Sequence, residues 1–111
     1  MHTRDQMARF SSRGPRVGDG AVKPDISAPG VAIVAARAKG TGMGKPVDDF
    51  YTSASGTSMA SPHMAGAAAI IAQQHPDFTG RQIKSLLMAT SKDLGHDLFA
   101  QGAGRVDVAR A

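Results

Sequence analysis

The sequence predicts an α/β chain, built from part of a parallel sheet, two helices and a small hairpin-like pair of strands. Three observations predict it. Residues Met64 to Ala72 contain nothing polar and follow a turn at Gly56, and a helix apolar all round belongs inside a protein. Thr79-Gly80-Arg81-Gln82 is a capping box, with Gln three residues after Thr, and opens a second helix. Two short apolar runs, Val31–Ala36 and Phe50–Ser53, flank a glycine-rich loop, the pattern of two strands in one small unit.

From the amino terminus, Met1 to Phe10 are polar and lack the apolar stretch of a signal peptide. So polar a start after Met1 suggests an internal beginning or a truncated gene model. Phe10-Ser11-Ser12-Arg13-Gly14-Pro15 follows, and Gly14-Pro15 and Gly18-Asp19-Gly20 are turn signals. Lys23-Pro24-Asp25-Ile26-Ser27-Ala28-Pro29-Gly30 carries two prolines and a closing glycine, which argues for an ordered extended loop. Val31–Ala36 reads as a short buried strand. In the loop over 38–49, Asp48-Asp49 is a carboxylate pair with no histidine or third acid placed beside it, and reads as solvated loop charge. Phe50-Tyr51-Thr52-Ser53 then returns as the second strand.

Pro62 sets where the central helix begins. Proline lacks an amide and clashes with the preceding turn, so it belongs in a first turn. The expected start is near Met59, with Ser58 at the rim. The helix ends about His75, because the residue before Pro76 avoids helical backbone. Beyond it, Ile83, Leu86, Leu87 and Met88/Ala89 form one face of the second helix, with Arg81, Lys84, Ser85 and Lys92 outward. The closing string Gly102-Ala103-Gly104-Arg105-Val106-Asp107-Val108 is glycine-rich, but no strand precedes it and no Lys-Ser/Thr follows, so it is a poor phosphate loop.

Ser58 is the chemically interesting position. Unpaired amides and the positive end of the macrodipole collect at a helix amino terminus. A hydroxyl there can attack a carbonyl while the amides hold the oxyanion. The plainer role for Ser58 or Thr57 is a helix cap. The longer string decides between them. Gly56-Thr57-Ser58-Met59-Ala60-Ser61-Pro62-His63-Met64-Ala65-Gly66 resembles the nucleophile motif of the subtilisin-like serine proteases, the subtilases.

That resemblance implies a subtilisin-like three-layer fold, of which residues 1–111 would form the carboxy-terminal portion of the catalytic domain. It makes Ser58 the nucleophile, with Gly56, Thr57 and Met59 shaping the turn and supporting the oxyanion. His63 matches a histidine that is structural in the family. The Phe-Ser-Ser-x-Gly-Pro string also recurs in subtilases beside the cleft, which makes Phe10 a candidate for the leaving-group side; a core role for Phe10 is equally open. The Lys-Pro-Asp-Ile-x-Ala-Pro-Gly and Gly-x-Gly-x-Val-Asp strings match the family too. Some members bind calcium or sodium near Asp25. Lys23 stands where metal-binding relatives carry an acid, which favours a carboxylate serving loop amides and no metal here. No cofactor is implied for this chain, with calcium a feature of some full-length relatives.

The resemblance also shows what these residues lack. The histidines are His2, His63, His75 and His96, and none stands in the His-Gly-Thr context of the subtilase base. His63 is about 140° around the helix from Ser58 and His75 about 25 Å along it; geometry excludes neither His2 nor His96. The family's Asp-(Ser/Thr)-Gly string is absent. So is asparagine altogether, the family's side-chain oxyanion donor. The expectation is a serine-type endopeptidase segment, inactive alone and acting on polypeptides in the complete, secreted enzyme. The alternative is a non-catalytic module that binds the missing amino-terminal part or self-associates.

Composition excludes other classes. Without cysteine there are no disulfides and no thiolate chemistry. Net charge is +4, but the cations are scattered, and one Tyr and four Phe make no stacking platform for nucleic acid. No apolar run reaches the ~20 residues that span a bilayer.

Overall fold

The computed structural model describes residues 6–111, so His2 lies outside the described residues. Its elements are β1 (Ile33–Ala36), β2 (Lys45–Pro46), β3 (Tyr51–Ala54), α1 (Thr57–Gln74), α2 (Gly80–Ala89) and α3 (Leu98–Gln101). The three strands form one antiparallel sheet in the order β1-β3-β2, with Ile33 opposite Ala54 and Ala36 opposite Tyr51. The expected hairpin-like pair is β1 and β3. The two-residue β2, drawn from the glycine-rich loop, pairs with the other side of β3. Pro46 has no amide to donate and sits on this edge strand, where none is needed.

The run Val31–Ala36 is not the buried strand its composition predicts. Val34 is 56% exposed and Ala35 and Ala36 are exposed, because no helix or second sheet lies on the ribbon. Asp48 is more than a solvated charge: its carboxylate accepts from the Phe50 and Tyr51 amides at 2.8 and 2.9 Å and shapes the turn into β3.

Parallel pairing is present as a single bridge. Ser27 and Arg105 pair in parallel, and Arg105 also pairs antiparallel with Lys92. The Ser27 amide donates to Gly104 O and the Val106 amide to Ser27 O, both at 2.8 Å. Ser27 Oγ donates to Gln101 O at 2.9 Å, and the Ala103 amide to Asp25 O at 2.9 Å. The closing glycine string is thus a clasp for the Pro24–Ser27 backbone. A Cβ at Gly102 would collide with Pro24 O and Asp25, and Gly102 has φ 64, a left-handed backbone.

The helices pack through stripes. α1 presents Met64, Ala67, Ala68 and Ile71, spaced i, i+3, i+4, i+7, to Ile83, Leu86 and Leu87 of α2. Ile26, Phe78, Val106 and Val108 close around them. Ile71 is fully buried, worth about 2–3 kcal/mol. The capping box forms as read: Gln82 N donates to Thr79 Oγ1 at 3.2 Å and Thr79 N to Gln82 Oε1 at 2.7 Å. The opposite face of α1, with Ala65, Ala69, Ile70 and Ala72, is exposed, and Ile70 is 44% accessible. The chain exposes 7756 Å², where a self-contained protein of its mass exposes about 5,800 Å².

Two consequences are measurable by urea unfolding. Gly102→Ala adds a clash to a strained backbone and should lower stability by about 2 kcal/mol or more. Thr79→Ala removes one cap bond and should cost about 1 kcal/mol.

Candidate active site

The turn before α1 is built on Gly56, whose φ of 154° with ψ of 165° is a backbone conformation essentially reserved for glycine. With Gly56 as the capping position, α1 starts at Thr57, two residues earlier than Pro62 suggests. Pro62 therefore lies in the second turn. Its missing amide is the one that would have bonded Ser58 O, four residues back. The helix has no side-chain cap, so neither Thr57 nor Ser58 is spent as one. They are the first and second helical residues, and both are exposed. The Ser58 amide is among those with no helical acceptor one turn back, and it lies at the positive end of the macrodipole.

The remaining expected residues fall around this turn. Met59 is half-buried, and its amide donates to Gly56 O at 3.0 Å. Thr57 and Ala60 line an open cavity of about 630 Å³. Its other walls include Phe10, the Ala28–Ala32 strap and Leu94. Phe10 is 48% exposed and is no part of the core described above. It shares the cavity with Thr57 instead.

Three of the histidines lie among the described residues. His63 Nδ1 lies 3.0 Å from Met59 O; a carbonyl only accepts, so Nδ1 carries the proton and donates. His75 caps α1 and stacks on Phe78 with ring centroids 4.3 Å apart. His96 stands in the loop before α3, where its carbonyl accepts from Gln101 Nε2 at 2.7 Å.

Asp25 does not serve the loop amides. Its carboxylate takes Lys23 Nζ at 2.9 Å and Lys84 Nζ at 3.1 Å, tying the loop to α2. Among the described residues no group of three His, Cys, Asp or Glu could hold a metal ion.

α3 and the buried Gln101 are not among the features the sequence predicts. Asp97 accepts from the Phe99 amide at 2.7 Å and caps α3; Asp before Leu-Phe-Ala is a readable capping signal. Gln101 is buried, with Nε2 donating to Asp93 Oδ1 and His96 O and Oε1 accepting from Leu94 N. No local pattern announces that role.

A solved structure shares this frame. Fervidolysin from Fervidobacterium pennivorans, a keratinolytic enzyme related to subtilisin, superposes with a TM-score of 0.60 at 27% identity, over 74% of this chain and 14% of that one. The fold is therefore subtilisin-like. The sequence model of the Subtilase family, Peptidase S8, matches residues 2–104, and the chain belongs to that family. Among curated relatives, it is 44% identical to the minor extracellular protease Vpr of Bacillus subtilis over 96% of this chain and 14% of Vpr. It is 46% identical to the serine protease AprX of the same organism, over 93% of this chain and 24% of AprX. It is 42% identical to the subtilisin-like protease SBT4.14 of Arabidopsis thaliana, over 95% and 15%. The chain thus spans between about a seventh and a quarter of these relatives' lengths. No helix among the described residues is long and apolar enough to cross a membrane.

Asp25 sets a pH dependence. The Lys23 ammonium, then that of Lys84, holds its carboxyl below the ordinary 3.8. A carboxyl lowered in the fold stabilises fully above its unfolded pKa and loses that contribution as pH falls through the folded value. Stability should therefore decline below about pH 4, and Asp25→Asn should flatten that part of a urea-midpoint profile against pH.

Proposed function

We propose that this chain is the serine-bearing segment of a subtilisin-like serine endopeptidase, with Ser58 the nucleophile and polypeptides the substrate. The observation that carries the reading is the state of Ser58: exposed, uncommitted to capping, and set at the start of α1 by a glycine-only backbone. In the complete enzyme Ser58 Oγ bonds to the peptide carbonyl carbon. The carbonyl π electrons move to oxygen, where the Ser58 amide is one donor and Thr57 and Met59 help hold the turn. The serine proton passes to a histidine and then to the leaving amine. His63 Nδ1 is bonded to Met59 O, and His75 lies at the other end of α1, so neither serves as the base; the resemblance to the subtilases assigns the base, its acid and the second oxyanion donor to the amino-terminal part of the complete enzyme. Phe10 lines the leaving-group side. No cofactor takes part in these steps, and the parent enzyme acts outside the cell, as the name of Vpr says of that relative.

The uncovered face of α1 supports a second reading, a non-catalytic module that binds an amino-terminal partner or another copy of itself. Such a face favours association. A fluorophosphonate probe separates the two. The chain alone should show no labelling. Mixed with the amino-terminal part of a subtilase catalytic domain that carries the acid, base and asparagine, it should become labelled at Ser58, and Ser58→Ala should abolish the signal. A stable complex that never labels would replace the protease reading with the binding module.

A further inference from the structure

The turn that carries Ser58 is held locally by the glycine backbone at Gly56 and the bond from the Met59 amide to Gly56 O, and by no side-chain cap. α1 lacks a side-chain cap, and Pro62 withholds the amide that would have bonded Ser58 O. Its orientation is set from outside the helix. The strap Ala28–Ala32 crosses just ahead of α1 and is bonded to two successive residues there. The Gly56 amide donates to Gly30 O at 2.8 Å, and the Ala32 amide donates to Ser55 Oγ at 2.7 Å. Two bonds on adjacent residues fix a rotation as well as a position, which one bond cannot do. The approach is close: a Cβ at Gly30 would stand 2.8 Å from Gly56 O and 3.2 Å from the Ala60 Cβ. Ala32 is held at φ 52, a left-handed backbone that alanine seldom adopts. Its amide is taken by the Ser55 side chain.

We propose that Ser55 is a positioning residue: by accepting the Ala32 amide, its hydroxyl holds the strap against the turn and sets the aim of the Ser58 hydroxyl and amide. This rests on the reading of Ser58 as nucleophile. Ser55 touches no reacting atom. It acts through the strap, because a displacement of the strap at Gly30 and Ala32 is transmitted to Gly56 and the first turn. A misplacement of about 1 Å at a reacting group can cost on the order of 100-fold in rate.

The test uses the full chain and three variants. Ser55→Ala removes the acceptor, Ser55→Thr keeps it, and Ser55→Val repeats the loss in the shape of Thr should Ser55→Ala fail to fold. By NMR, Ser55→Ala or Ser55→Val should raise amide exchange at Ala32 about tenfold and shift the Ser58 amide resonance, while Ser55→Thr restores both. In the mixture that labels with fluorophosphonate, the loss variants should lower the limiting rate of Ser58 modification about tenfold or more with little change in half-saturation, and Ser55→Thr should recover it. Unchanged Ala32 exchange in the loss variants, or a lost bond that leaves the Ser58 resonance in place, overturns the proposal. Absence of any labelling in the wild type overturns the protease reading, and the two NMR measurements still decide whether Ser55 sets the turn.

Discussion

The structure depends on the backbone clasp between Pro24–Ser27 and Gln101–Val106. Two segments nearly eighty residues apart exchange main-chain hydrogen bonds at 2.8–2.9 Å, and Ser27 Oγ adds another to Gln101 O. Such an approach leaves no room for a side chain at Gly102, nor at Gly104 against Lys92. The clasp also carries Ile26 and Val106 into the cluster around Ile71, so the main core among the described residues and this long-range pairing are the same construction. Asp25 extends it to α2 through Lys84.

From the clasp the chain runs directly to the candidate active site. The segment that begins at Pro24 in the clasp ends at Gly30 and Ala32 on the Ser58 turn. The carboxy-terminal glycines are thereby connected to the nucleophile position through the short segment Asp25–Ala32. That path explains why three motifs scattered over the sequence belong together. Each supplies one surface of a single stack: the clasp, the strap and the turn. The cavity beside Thr57 opens along the same strap.

Much of this was legible in the residues. The capping box at Thr79 acts over four residues and is independent of the rest of the chain, so its geometry follows from spacing. Resemblance to the subtilases pointed to the family, and the family match over residues 2–104 agrees with it. α1 starts at Thr57 and not near Met59 because Gly56, rather than Pro62, sets its beginning. A missing amide in the second turn is tolerated, whereas the backbone at Gly56 admits almost no other residue. Asp25 was misassigned to loop amides because Lys84 is distant in sequence, and Gln101 was overlooked because every partner of its amide is set by tertiary folding.

What the sequence by itself determined is local: the start of each long helix to within two residues, a ribbon, turns and the glycine before Ser58. These follow from interactions over a few positions, where propensity and capping act. Which face of α1 is buried was not determined, because Met64–Ala72 is apolar on every side and has no period to read. Packing against α2 selected Met64, Ala67, Ala68 and Ile71 and left Ile70 exposed. Tertiary structure likewise decided the close approach of Gly102 to Pro24 and the bond from Ala32 to Ser55. Both join backbone or small polar groups whose identity says nothing until two distant segments meet.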